Sequence, residues 1–135
     1  MNIRAKLALK NVFLILLRFH RTILRQIYTT KNRLTCASYG KNFTVNFRSH
    51  AGRNVYLGEN VNFNGMHISS GGKVIIGDNF HSGRDCRIIV QYHNYDQGLK
   101  IPYDNTYINK SVVIEENVWL GHNVTRSEER RVGKE

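Results

Sequence analysis

Residues 114–125 read IEENVWLGHNVT, which divides into two units of six, Ile114-Glu-Glu-Asn-Val-Trp119 and Leu120-Gly-His-Asn-Val-Thr125. An aliphatic residue opens each unit and a valine takes its fifth place. Upstream the same rhythm continues in weaker form. Units open at Tyr39, Val45, Ala51, Leu57, Phe63 and Ser69, then, after one inserted residue, at Ile76, Ser82 and Ile88. Gly or Asn holds most second places, at Gly40, Asn46, Gly52, Gly58, Asn64, Gly77 and Gly83. The fifth places include Phe43, Ser49, Val55, Val61, Phe80 and Cys86. A period of this regularity takes precedence over local propensity.

Short strands alternate faces. A unit with its first and fifth side chains turned inward makes one flat side of a coil. Gly and Asn beside the first place suit a tight corner, because both tolerate positive φ. Three such sides would close one turn, and a turn buries its interior only when stacked on another. The chain is therefore expected to be mainly β, with roughly three turns between Tyr39 and Val124 and one excursion at residues 91–112.

The chain has 135 residues, about one domain, and a formal charge of +10. Residues 1–58 carry eleven Lys or Arg, and the first acidic residue is Glu59. The charge thus belongs to the N-terminal part, which suits an anionic surface. Cys36 and Cys86 form no disulfide framework, and the simplest expectation is a reduced, cytoplasmic compartment. No cleavage site of the usual signal-peptide form follows the apolar run Val12 to Leu17. That run is far short of the ~20 residues a membrane span needs.

Residues 1–33 are expected to hold a basic amphipathic helix and its linker. Over 3–28, Ala5, Leu9, Val12, Phe13, Leu16, Phe19, Ile23, Leu24 and Ile27 share one side. Arg4, Asn11, Arg18, Thr22 and Arg25 share the other. The string TTKNRLTCAS at 29–38 reads as a polar link. Two readings of the helix stay open: packing on its own domain or a partner subunit, and lying on an anionic membrane, peripheral to its inner face. Nothing matches a groove-reading motif, so nucleic acid is not an expected partner. His20 falls on the apolar side and reads as packed.

Four strings carry a family resemblance: Ile76-Gly77-Asp78-Asn79-Phe80, His93-Asn94-Tyr95-Asp96, Ile101-Pro102-Tyr103-Asp104 and Asn117-Val118-Trp119-Leu120-Gly121. Together with the period over 39–125, they resemble the hexapeptide-repeat acyltransferases. The subgroup is similar to the maltose, galactoside and cell-surface polysaccharide O-acetyltransferases. The resemblance implies a left-handed parallel β-helix, an exception to the usual right-handed crossover. It also implies a homotrimer with active sites between neighbouring coils, acetyl-CoA as acyl donor, no metal, and a sugar or lipid-linked saccharide hydroxyl as acceptor.

Transfer of an acetyl group to a hydroxyl needs a base for the proton and donors for the oxyanion. His93 follows the strand Ile88-Ile89-Val90 and opens the excursion. Imidazole titrates in the right range, and the resemblance gives the histidine at this place the role of general base. Asn62, in Val-Asn-Phe-Asn, is matched to a substrate-contacting asparagine, with a corner asparagine as the plain alternative. Asp96 would orient the base or bind acceptor hydroxyls. Trp119 precedes the inward Leu120, so alternation turns it outward, to stack on a sugar or pack on a neighbour. Tyr92, Tyr95, Tyr103 and Tyr107 give the excursion a stacking character without a ranking.

His50, His67, His81 and His122 read as surface or corner residues. No pair has the close spacing used by the zinc-dependent carbonic anhydrases that share this scaffold. The rival from another class is a non-catalytic β-helix scaffold, a module binding a membrane or a partner. The period asks for an aliphatic residue at 126, but the chain continues RSEERRVGKE. Residues 126–135 are therefore expected to be non-native and the chain a fragment, with its coenzyme contacts missing and its activity lost.

Overall fold

A computed structural model describes residues 3–95 and 97–127. Helix α1 (Ile3–Thr35) comes first. Strands β1 (Thr44–Phe47), β2 (Val55–Leu57), β3 (Asn62–Asn64), β4 (His67–Ile68), β5 (Val74–Ile76), β6 (His81–Arg84) and β7 (Arg87–Ile89) follow. Then come β8 (Gln91–His93), β9 (Tyr107–Asn109), β10 (Val112–Ile114), β11 (Trp119–Leu120) and β12 (Thr125–Ser127).

Apart from the antiparallel pair β8–β9, the strands form three parallel sheets, β2-β5-β10, β1-β3-β6-β11 and β4-β7-β12. The chain visits them in rotation three times. An earlier, irregular turn adds isolated bridges from Ser38 to Tyr56 and from His50 to His67. The expected excursion leaves after β7 and returns at β10, and its two arms form the β8–β9 hairpin. Val55, Val74 and Val112 stand in one column, as do Leu57, Ile76 and Ile114.

Inside, the expected openings Val45, Ala51, Leu57, Phe63, Ile76, Ser82 and Ile88 are buried. So are the fifth places Phe43, Ser49, Val55, Val61, Phe80 and Cys86. Phe63 meets Phe43 edge-on at 5.3 Å and Phe80 at 6.0 Å, a column of T-shaped contacts through successive turns. Tyr39 departs from the rhythm and is 47% exposed.

The corners work differently from the expectation. Positive φ falls at the fourth place of the units opening at Tyr39, Leu57, Ile76, Ser82, Ile114 and Leu120, on Asn42, Asn60, Asn79, Asp85, Asn117 and Asn123. Their amides form a ladder up the coil: Asn42 donates to Asn60 at 2.9 Å, Asn60 to Asn79 at 3.0 Å and Asn79 to Asn117 at 2.9 Å. The second-place glycines serve close approach instead. A Cβ on Gly40 would lie 2.6 Å from the Gly58 carbonyl carbon, and one on Gly77 2.7 Å from the Glu116 nitrogen.

The helix also differs. It runs through Thr35, so residues 29–35 are helical rather than a link. Thr29 and Asn32 are buried against the first turn of the coil. The Val45 N–H donates to the Thr29 hydroxyl at 2.9 Å, and the Ala51 N–H to Asn32 Oδ1 at 2.9 Å. Asn32 Nδ2 donates to the Ser49 carbonyl at 3.2 Å, and the Thr35 hydroxyl to the Ala51 carbonyl at 2.6 Å. These polar side chains satisfy backbone groups of the coil's first turn that no preceding strand pairs. Sequence propensity marks Thr and Asn as helix-ending, but here tertiary bonds hold them helical. His20 is exposed, not packed.

Asn32→Ala should lower stability by about 1–3 kcal/mol, since it leaves the buried Ala51 N–H without a partner. A shift of the urea midpoint measures it. Gly58→Ala should cost a similar ~1–3 kcal/mol by overpacking, because its Cβ would meet the Asp78 nitrogen and the Gly77 carbonyl carbon at 2.9 Å.

Candidate functional site

His93 closes β8, opposite Tyr107 on β9. Its imidazole stacks on Tyr103, with centroids 3.9 Å apart and planes at 21°. Tyr107 meets it at 4.7 Å and 36°. His93 Nδ1 is fully enclosed and has no hydrogen-bond partner among the described residues. An enclosed ring nitrogen left unpaired carries a desolvation cost.

The hairpin is rooted in the coil. The Lys110 N–H donates to the Val90 carbonyl at 2.8 Å, and the Val90 N–H to the Ser69 hydroxyl at 2.8 Å. The neck passes against the corner Ser69-Ser70-Gly71-Gly72. A Cβ on Gly72 would collide with the Lys110 carbonyl oxygen. The residue inserted into the period falls in this segment, so the corner is widened where the excursion needs room.

Beyond the hairpin, Asp104 organises the loop. It accepts from the Thr106 hydroxyl at 2.5 Å, the Leu99 N–H at 2.9 Å and the Thr106 N–H at 2.8 Å. The Thr106 hydroxyl, followed by the Leu99 and Thr106 amides, holds its carboxyl below the ordinary value of 3.8. The bond between Ile101 and Pro102 is cis. These contacts rank the tyrosines. Tyr103 and Tyr107 touch the imidazole, the Tyr92 hydroxyl donates to the Ile89 carbonyl at 3.3 Å, and Tyr95 is exposed. Asp96 lies outside the described residues.

Asn62 and Trp119 occupy a different place. Both project from the outer face of the sheet β1-β3-β6-β11, opposite the inward Phe63 and Leu120. Asn62 pairs with His81, and His81 with Trp119, so the three stand in one column with Thr44 beneath. Asn62 is already engaged: its Nδ2 donates to the Thr44 hydroxyl at 2.5 Å, and its Oδ1 accepts from Asn46 at 3.2 Å. Trp119 is 73% exposed. No hydrogen bond or ring contact among the described residues joins His93 to Asn62 or Trp119.

Sequence reasoning missed His81. It stands between the two predicted acceptor residues, with Nε2 3.2 Å from Asn64 Nδ2. The signal was the period itself: Asn62, His81 and Trp119 each close a six-residue unit, at 57–62, 76–81 and 114–119, with three units to a turn. His122 Nδ1 accepts the Arg84 N–H at 3.1 Å, a structural corner. A further groove of about 780 Å³ lies along the third sheet, where Lys31, Arg48, His50, His67 and Arg87 contribute to its wall.

No protein-family model, curated protein or solved structure matches this chain. Among the described residues no group of three or more His, Cys, Asp or Glu side chains could hold a metal ion. Cys36 and Cys86 are free thiols, and burial pushes the Cys36 thiol upward.

Asp104 gives a signed pH dependence. Its depressed folded value means that its ordering of the loop is complete above pH 3.8 and fades as pH falls through the folded value. The Leu99 and Thr106 amide resonances should hold steady above that range and move together below it. In Asp104→Asn they should sit at displaced positions already at neutral pH.

Proposed function

We propose that the protein this chain represents is an O-acetyltransferase of the hexapeptide-repeat type, moving an acetyl group from acetyl-CoA to a sugar hydroxyl. Its coil is the left-handed form, and it works as a homotrimer. The observation that carries the reading is His93: an imidazole presented by the single large excursion from a three-sided coil, walled by Tyr103 and Tyr107. A surface-polysaccharide saccharide is the acceptor class, and no metal takes part.

In the proposed reaction, His93 takes the proton from the acceptor hydroxyl as its oxygen attacks the thioester carbonyl. The tetrahedral intermediate then collapses, and the imidazolium returns the proton to the departing coenzyme A thiolate. Nδ1 is enclosed, so proton transfer is assigned to Nε2. The two tyrosines fix the ring plane, which aligns the base before the acceptor arrives.

The separation of His93 from the column of Asn62, His81 and Trp119 supports a shared site. Within one chain these groups lie on different parts of the coil. A neighbouring copy would lay its face against the excursion, and Trp119 and Asn62 would then line the acceptor subsite.

The test uses the purified protein with acetyl-CoA and a saccharide acceptor. His93→Ala should reduce transfer from acetyl-CoA to a saccharide acceptor by about 10²–10⁴-fold, with an unchanged circular dichroism spectrum. Trp119→Ala should chiefly raise the acceptor KM. Mixing His93→Ala chains with Trp119→Ala chains should restore some sites of normal KM if sites are shared between copies. Full activity in His93→Ala would end the role of His93 as base, and no transfer by the wild-type protein would end the acetyltransferase reading and leave a scaffold or binding module.

A further inference from the structure

The first twenty-five residues of α1 have no cover on their apolar side. Leu9, Val12, Leu16, Phe19, Ile23 and Ile27 are all between 42% and 65% exposed. At about 100° per residue they form one continuous stripe. The C-terminal end of the same helix fixes where that stripe faces. Thr29 and Asn32 are held against the coil by their backbone bonds. Ile27 lies roughly 160° around the helix from Thr29, and Leu34 roughly 160° from Asn32. The stripe therefore points away from the coil, so this chain's own β-structure does not bury it.

The charges indicate what does. Between Ile3 and Thr35 the helix carries no Asp or Glu, while Arg4, Lys6, Lys10, Arg18, Arg21, Arg25, Lys31 and Arg33 are all basic. Lys6 lies about 60° beyond the edge of the stripe formed by Leu9 and Ile27, and Lys10 and Arg21 lie about 100–120° beyond it, on the side away from the stripe. Self-association along the stripe would bring copies of this cationic helix together with no acidic residue on it to pair them. An anionic lipid surface supplies both an apolar phase for the stripe and counter-charge for the basic residues of the same helix. No described helix is long and apolar enough to cross a membrane, so the fitting geometry is a helix lying in the interface.

We propose that α1 is an interfacial anchor, with its Leu9–Ile27 stripe in the acyl-chain boundary of an anionic bilayer and the coil held on the water side through Thr29, Asn32 and Thr35. This assignment does not depend on the catalytic reading. It places the first turn of the coil nearest the lipid, and the later turns and the excursion farther along the chain from the anchor.

The test is sedimentation of the full chain with vesicles of phosphatidylcholine containing about one-quarter phosphatidylglycerol, at low salt. Binding should fall roughly tenfold or more on pure phosphatidylcholine and in the triple variant Lys6→Gln/Lys10→Gln/Arg21→Gln. It should be lost in Leu16→Glu/Phe19→Glu, whose side chains touch none of the coil. A red-to-blue emission shift of an environment-sensitive dye on a cysteine introduced at Val12 reports insertion separately from sedimentation. Absence of vesicle binding by the wild-type chain overturns the proposal. So does binding that ignores lipid charge. A stripe-dependent oligomer in solution that excludes vesicles would also overturn it, assigning the stripe to a helical bundle between copies.

Discussion

Each turn of this coil must sit one strand spacing above the last, and that closeness leaves no room for a side chain at two kinds of position. Where corner backbones touch, only glycine fits, as at Gly40, Gly58 and Gly77. Where the backbone turns with positive φ, an asparagine takes the strained conformation and its amide bonds to the asparagine above. Backbone geometry and side-chain bonding thus favour the same residue at the same place. The Phe43, Phe63 and Phe80 stack then fills the interior at that spacing. Because register passes from corner to corner, a large insertion is tolerated only where it leaves and rejoins at one neck. The Asn79 to Asn117 bond shows the ladder bridging the excursion without a break.

The excursion turns that tolerance to use. Its neck is held by Val90, Lys110 and Ser69 over a glycine corner, so the hairpin starts from a rigid base. A histidine at its edge, His93, stacks on the rings of Tyr103 and Tyr107. Stacking fixes the plane of the ring while leaving a ring nitrogen unpaired. The fixed ring plane is the physical ground for the proposal that His93 exchanges protons through Nε2. The outer face carrying Asn62, His81 and Trp119 is a polar and aromatic surface of a separate kind, made by strand register alone.

The helix serves two masters along its length. Its last two turns present Thr29, Asn32 and Thr35 to the open end of the coil and satisfy backbone groups there. Its earlier turns carry an apolar stripe on the opposite side, uncovered by the chain. The same rigid rod therefore links the coil's end to whatever covers the stripe, and fixes their relative orientation.

The six-residue period, its inward positions and the place of the excursion were readable in the chain, because alternation and repetition are local properties that survive any register. The outward turn of Trp119 and the solitary position of His93 followed from the same local logic. Glycine and asparagine were both recognised as corner residues for positive φ, but only the fourth-place asparagines take it, while the second-place glycines serve close approach: distance to the next turn decides what a glycine is for, and that distance is not in the period. The helical state of residues 29–35 was hidden because Thr and Asn read as terminators until the coil supplies partners for their side chains. His81 stands between Asn62 and Trp119 because all three close units on one side of the coil, at 57–62, 76–81 and 114–119; the period carries their place, and the three-unit turn decides that they share a face. Composition and period determined that a basic helix would precede a repeating β-coil. Only the stacked turns, through hydrogen bonds between residues far apart in sequence, decided which side chains share a face and which way the helix presents its own.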